Sequence, residues 1–266
     1  MSESNTAPVD ANEAAQGSAN KWLALAAMMF AVSMMFIDQT IVSIAIPTIQ
    51  TELGLSEAGV QWVINGYLLS LSAFFALGGR LSDILGHKRM VLLGVTIFAV
   101  SSALCGATPD NSFAEAWLIV FRIIQGIGAA LLFPAALAIV VSTFPLKERG
   151  KALALFFGIT GGLTAIGPIL GGYLSEWTWR AIFWVNVPVA IIAIVLTLLA
   201  KVHTQHKREP LDYLGAVLIA AGMAFSVLGL QQASSWGWTD PRTIGSIVLG
   251  LILLAIFVKV ETRVKI

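Results

Sequence analysis

Two charged side chains sit where charge is costly. Asp38 lies in the apolar stretch "MFIDQTIVSIAIP" and Arg122 in "FRIIQGIGAALLFP". A carboxyl in such surroundings can load and release a proton, and a guanidinium can pair with it. Either charge costs roughly 2.5–3.5 kcal/mol on insertion scales if it faces lipid at the centre of a span. Both are therefore expected to face a polar cavity and to pair there, which marks an ion or solute path. A purely structural buried ion pair is the competing reading. Gln39, Asn65, Gln125 and Asn186 are the uncharged polar groups expected to line the same cavity.

Other chemistries lack their residues. No G-x-x-x-x-G-K-[ST] phosphate loop occurs, and neither does H-E-x-x-H or G-x-S-x-G. No second carboxylate within a span stands ready to share acid–base work with Asp38. These absences count against an ATP-driven pump and against an intramembrane enzyme. His203 and His206, in "KVHTQHKREPLD", stand at i and i+3 but read as solvated loop residues, and no metal or cofactor is expected. Cys105, the one cysteine, lies in an apolar run, so there is no disulfide framework.

The elements that must position Asp38 and Arg122 are membrane helices. The chain is 57% hydrophobic and only 12% charged, with a mean hydropathy of +0.84, too apolar for a surface in water. A hydrocarbon core of about 30 Å takes about 20 helical residues. Eight segments qualify: 22–49, 61–79, 90–107, 116–141, 152–174, 181–200, 213–230 and 244–260. They are too long, and too little alternating, for barrel strands. The fold class is therefore all-α integral membrane. Counting residues inward from the far end of span one and the near end of span four puts Asp38 and Arg122 both ~10–15 Å deep, on the same side.

Orientation follows from the basic residues. With the N-terminus inside, thirteen of the sixteen lysines and arginines fall on the inner side, Arg180 and Arg242 fall outside, and Arg122 is within a span. Trp62, Trp117, Trp177, Trp179, Trp184, Trp236 and Trp238 gather near the outer ends, as an interfacial belt does. Both termini are thus expected in the cytoplasm. The basic residues form no single patch, so no nucleic-acid partner is expected. Residues 1–20 read as a disordered cytoplasmic tail, 21–200 as a six-span bundle, 201–212 as a cytoplasmic linker, 213–260 as two additional spans, and 261–266 as a cytoplasmic end.

Two glycine-bearing stretches stand out. In "GGRLSDILGHKR", Gly79, Asp83, Gly86, Lys88 and Arg89 form a short charged link between spans two and three, in which Gly86 permits a tight reversal. Such a link is a stiff clasp able to dock on neighbouring helix ends. In the fifth span, Gly158 with Gly162 and Gly167 with Gly171 are small-xxx-small pairs that let another backbone approach, while Pro168 bends the helix and Gly172 follows.

With these motifs the sequence resembles the major facilitator superfamily. "GRLSDILGHKRMV" (Gly79–Val91) is similar to its loop signature, apart from Ile84 and His87 where basic residues are usual. "RIIQGIGAA" (Arg122–Ala130) resembles its fourth-helix motif, and "GITGGLTAIGPILGG" (Gly158–Gly172) the fifth-helix motif of exporting antiporters. "IDQTIVSIAIP" (Ile37–Pro47) and "WRAIFWVNVP" (Trp179–Pro188) resemble the fourteen-span drug:proton antiporter branch, with Ala181 where tryptophan is frequent.

The resemblance implies an inner-membrane exporter driven by the proton gradient. Asp38 and Arg122 would serve in coupling and Gly79–Arg89 as the conformational clasp. Gln39, Asn65, Gln125 and Asn186 would line a cavity suited to lipophilic or cationic compounds. Spans one to six would be the N-terminal bundle, a 3+3 repeat, with spans seven and eight the inserted pair. The expected partners are membrane lipids, protons, a small-molecule substrate, and either a second bundle or a partner chain. The alternatives are a half-size protein that does not transport, inert or acting by association with another chain, and a pseudo-complete dimer of two copies.

Overall fold

A computed structural model describes residues 11–200, 202 and 212–262. Within these, ten helices follow one another: α1 (Ala11–Leu53), α2 (Glu57–Leu85), α3 (His87–Gly106), α4 (Ala114–Thr143), α5 (Leu146–Thr164), α6 (Ile166–Trp177), α7 (Ala181–Trp184), α8 (Asn186–Leu199), α9 (Tyr213–Trp236) and α10 (Pro241–Glu261). Among the described residues, eight helical stretches are long and apolar enough to cross a membrane, with α5–α6 forming one and α7–α8 another. The all-α membrane class therefore stands. Expected linker 201–212, including His203 and His206, lies almost wholly outside the described residues.

The helices overrun the apolar segments at most ends, because polar residues at a membrane surface can extend a helix once its core is formed. Residues 11–20, expected within a disordered tail, continue α1 upstream, and "ANEAAQ" is a good helix former. The two interruptions are local. Pro168 and Pro188 have no N–H for the carbonyl one turn back, and the helix breaks at Ala165 and at Val185.

The connections are short and capped. Ser56 caps α2 through the amide of Gly59, Gly86 alone joins α2 to α3 at φ 95°, and Asp240 precedes Pro241 at the start of α10. Polar clasps hold the helix ends together at both faces. On one face Lys21 pairs with Glu148 at 2.6 Å, and Lys88 donates to the Ala200 carbonyl at 3.1 Å. On the other, Arg180 pairs with Asp110 at 2.6 Å and the Trp179 indole donates to Glu52 at 2.8 Å.

The packing of α1–α8 repeats itself. α1 packs on α5–α6 and on α8, as α4 packs on α2 and on α3; α1 also meets α4, and α3 meets α7–α8. Exchanging α1–α3 with α4–α8, span for span, maps this set of neighbours onto itself, the pattern of two inverted three-span units. The contacts with α4 are the most extensive. A Cβ on Gly78 or Gly126 would run into the α2–α4 interface, at the Ala130 carbonyl and at Ser70 respectively, and one on Gly128 would meet the α3 backbone at Phe98. α4 therefore lies wedged between α2 and α3 by glycines that alternate between its two sides. The hairpin α9–α10 packs chiefly on itself and, through α9, on α2.

Candidate functional site

Arg122 and Gln125, one turn apart on α4, project from the same face towards Asp38 on α1. The Arg122 Nη1 donates to Asp38 Oδ2 at 2.5 Å and to Gln125 Oε1 at 2.9 Å. Gln125 Nε2 returns a bond to Asp38 Oδ1 at 2.9 Å, and Asn186 Nδ2 adds another at 3.2 Å. Asn186 is the first residue of α8, so the break at Val185 is what aims its amide at α1. Asn186 in turn donates to Ser102 Oγ on α3 at 3.0 Å, and Ser102 donates to the Phe183 carbonyl at 2.8 Å. Asp38, Gln125 and Ser102 have no exposed surface, while Arg122 and Asn186 retain only 2%.

Two further groups hold the guanidinium. Its Nε donates to the Val63 carbonyl on α2 at 3.1 Å, a reach made possible where Gly66 and Gly126 let α2 and α4 close together. Its Cζ lies 4.4 Å from the centroid of the Tyr67 ring, a cation–π arrangement. Among the described residues, the buried Tyr67 hydroxyl has no hydrogen-bond partner.

The Asp38 carboxylate has no exposed surface and accepts three of the roughly four hydrogen bonds that such a group can take. A cavity of about 110 Å³ is lined by Gln39, Ser43, Tyr67 and Arg122 among others, but not by Asp38. Arg122 thus touches both that cavity and the carboxylate. Among the described residues, no three His, Cys, Asp or Glu side chains gather as a metal site would require.

The expected polar cavity is therefore not one compartment. Gln39 lines the cavity; Gln125 and Asn186 are consumed as donors to Asp38. Asn65 is the correction: it turns to α9 and donates to Gln232 Oε1 at 3.4 Å. Residue type and span gave no means of telling on which side of α2 it would fall. Ser102 and Tyr67 were missed, and only their helical register relative to α4 and α8 could have pointed to them.

The clasp is also redistributed. Gly86 makes the reversal and Lys88 bridges to the end of α8, whereas Asp83 and Arg89 are exposed. The close approach to α4 falls on Gly78; a Cβ on Gly79 would be in ordinary contact with Pro134. In the fifth span, Gly167 and Gly171 pack on α1. Gly158, Gly162 and Gly172 have open space where a Cβ would stand, and Pro168 is exposed beside them. Among the described residues, only the second of the two small-xxx-small pairs serves packing.

Comparison with known proteins agrees with this architecture. The family model described as Major Facilitator Superfamily matches residues 28–258. The tetracenomycin C resistance and export protein of Streptomyces glaucescens is 40% identical over 245 residues, covering 91% of this chain and 45% of that protein. The puromycin resistance protein pur8 of Streptomyces alboniger is 36% identical, covering 97% and 51%. The cephamycin export protein CmcT of Amycolatopsis lactamdurans is 35% identical, covering 85% and 47%. The chain spans about half the length of these relatives. Among solved structures, the peptide transporter POT in complex with sulfate superposes with a TM-score of 0.65 at 17% identity, covering 92% of this chain and 52% of that one. The inward-open xylose transporter XylE from E. coli superposes at 0.59 and 15%, covering 90% and 56%. These two likenesses are of fold.

Proposed function

The chain belongs to the major facilitator superfamily, and from that premise we propose that it supplies the first half of a proton-driven exporter of small, lipophilic or cationic molecules. The observation that carries this reading is the Asp38–Arg122 pair, buried among apolar spans and held by Gln125 and Asn186. A titratable carboxylate locked by a movable guanidinium is a gate: when Arg122 withdraws, Asp38 can exchange a proton with whichever side is open. Relatives whose names record resistance and export support the direction of transport and the substrate class.

The second bundle belongs, in this reading, against the uncovered face of the fifth span, where Gly158, Gly161, Gly162 and Gly172 offer a surface with no side chains in the way. Alternating access rocks one bundle against the other, so that face would slide. The bias of the basic residues supports an orientation with both ends in the cytoplasm, and an inner-membrane location goes with this reading.

The experiment is dye efflux from vesicles holding this chain together with the second half of the Streptomyces glaucescens relative. An imposed proton gradient should drive efflux of a lipophilic cationic dye. Asp38→Asn should abolish it while leaving insertion intact, and vesicles with this chain alone should match empty ones. Gradient-driven efflux near the unsubstituted level in Asp38→Asn would sink the reading.

A further inference from the structure

Two residues beyond Asp38, the Thr40 side chain reaches out of its own helix. Its Oγ1 lies 3.1 Å from the carbonyl of Thr164, the last residue of α5, and also 3.1 Å from the carbonyl of Ile37 in α1, with the Phe36 carbonyl of α1 farther off at 3.4 Å. The Thr164 carbonyl is a particular one. In an unbroken helix it would accept from the amide four residues on, but that residue is Pro168, which has no N–H. The next helix restarts at Ile166. Directly opposite Thr40 stands Gly167, where a Cβ would collide with the hydroxyl. Proline makes the orphan carbonyl, glycine makes the room, and threonine brings the donor.

A hydroxyl has one proton to donate, so Thr40 can bond Ile37 within α1 or Thr164 across the interface, not both. We propose that Thr40 is a positioning residue whose hydroxyl alternates between these two carbonyls and so ties the break in the fifth span to the turn of α1 that carries Asp38. A shift of that turn as Asp38 changes partners would hand the Thr40 proton from one carbonyl to the other, loosening or fixing α6. Below the break, Gly171 packs on Ile41 and Ile44, so α6 is already seated on the same stretch of α1. The latch stands on geometry alone; its use in transport rests on the role proposed for Asp38.

The test is run on the purified chain in nanodiscs, without transport. Thr40→Val keeps the shape and removes the proton donor, and should shift the unfolding equilibrium roughly threefold, the scale of one interhelical hydrogen bond in a membrane. Thr40→Ser should stay near the unsubstituted chain. Pro168→Ala returns a backbone N–H to the Thr164 carbonyl, so in its presence Thr40→Val should cost little. If valine and serine behave alike, or if Pro168→Ala gives no rescue, the latch is wrong.

The second measurement is amide hydrogen exchange over residues 161–168, which a merely structural bond would leave blind to Asp38. Asp38→Asn should change that exchange in the chain with Thr40 and should fail to do so with Thr40→Val. No response to Asp38→Asn, or the same response with and without the hydroxyl, would overturn the coupling. Failure of dye efflux to depend on Asp38 is a separate result and bears on the transport reading alone.

Discussion

Removing one partner of the Asp38–Arg122 pair should cost far more than removing both. Arg122→Met keeps the bulk of the side chain but leaves the buried Asp38 without its countercharge, with only Gln125 and Asn186 to donate to it. Losing one partner of a buried pair costs about 3–5 kcal/mol. Asp38→Asn strands the guanidinium in the same way. The Val63 carbonyl and Gln125 Oε1 still accept from it, but neither neutralises its charge. With Asp38→Asn and Arg122→Met together, no charge remains. What is then lost is mainly the two bonds from Arg122 to Val63 and Gln125, at about 0.6 kcal/mol each within a membrane. The double variant should therefore lose about 1–2 kcal/mol, although two independent losses would sum to roughly 6–10 kcal/mol. The assay is reversible unfolding of the chain in bicelles, comparing the three variants with the unsubstituted protein. Additive losses would mean that the two charges do not share one desolvated site, and the gate built on their pairing would fall with that result.

The glycine wedge and the open glycines should respond oppositely to a methyl group. Gly78→Ala drives a Cβ into the Ala130 carbonyl of α4 and should destabilise by about 1–3 kcal/mol, as overpacking does, while Gly158→Ala meets open space and should stay within about 0.5 kcal/mol; equal effects in the same unfolding assay would refute the α2–α4 contact. Orientation is checked by single cysteines at exposed Glu57 and half-buried Asp240 on one face, and at exposed Asp83 and Arg89 on the other. In a background with Cys105 replaced by alanine, an impermeant thiol reagent outside intact cells should label the first two and spare the others. The reverse pattern would invert the topology.

Much of this molecule is written in one dimension. Whether a segment spans a membrane depends on how many apolar residues run together, because lipid solvates side chains locally and each helix satisfies its own backbone. So the eight spans, the Gly86 reversal and the pairing of Asp38 with Arg122 could be read from residue type, length and depth. A charge in hydrocarbon has few alternatives to an opposite charge at the same depth.

What the sequence did not contain is which side of a helix meets which neighbour. Asn65 and Arg122 both looked like cavity residues, yet α2 turns Asn65 to α9 while it offers the Val63 carbonyl to the arginine. Gly158 and Gly171 share one motif, yet only Gly171 touches α1. Ser102 and Tyr67 carry no signal until α3 and α2 are packed around α4. Even the break at Val185 gains its meaning only because α1 lies where Asn186 then points. Membrane insertion sorts segments by composition, which is local. Azimuth, register and close approach are settled by packing between helices far apart in the chain, and only the tertiary structure decides them.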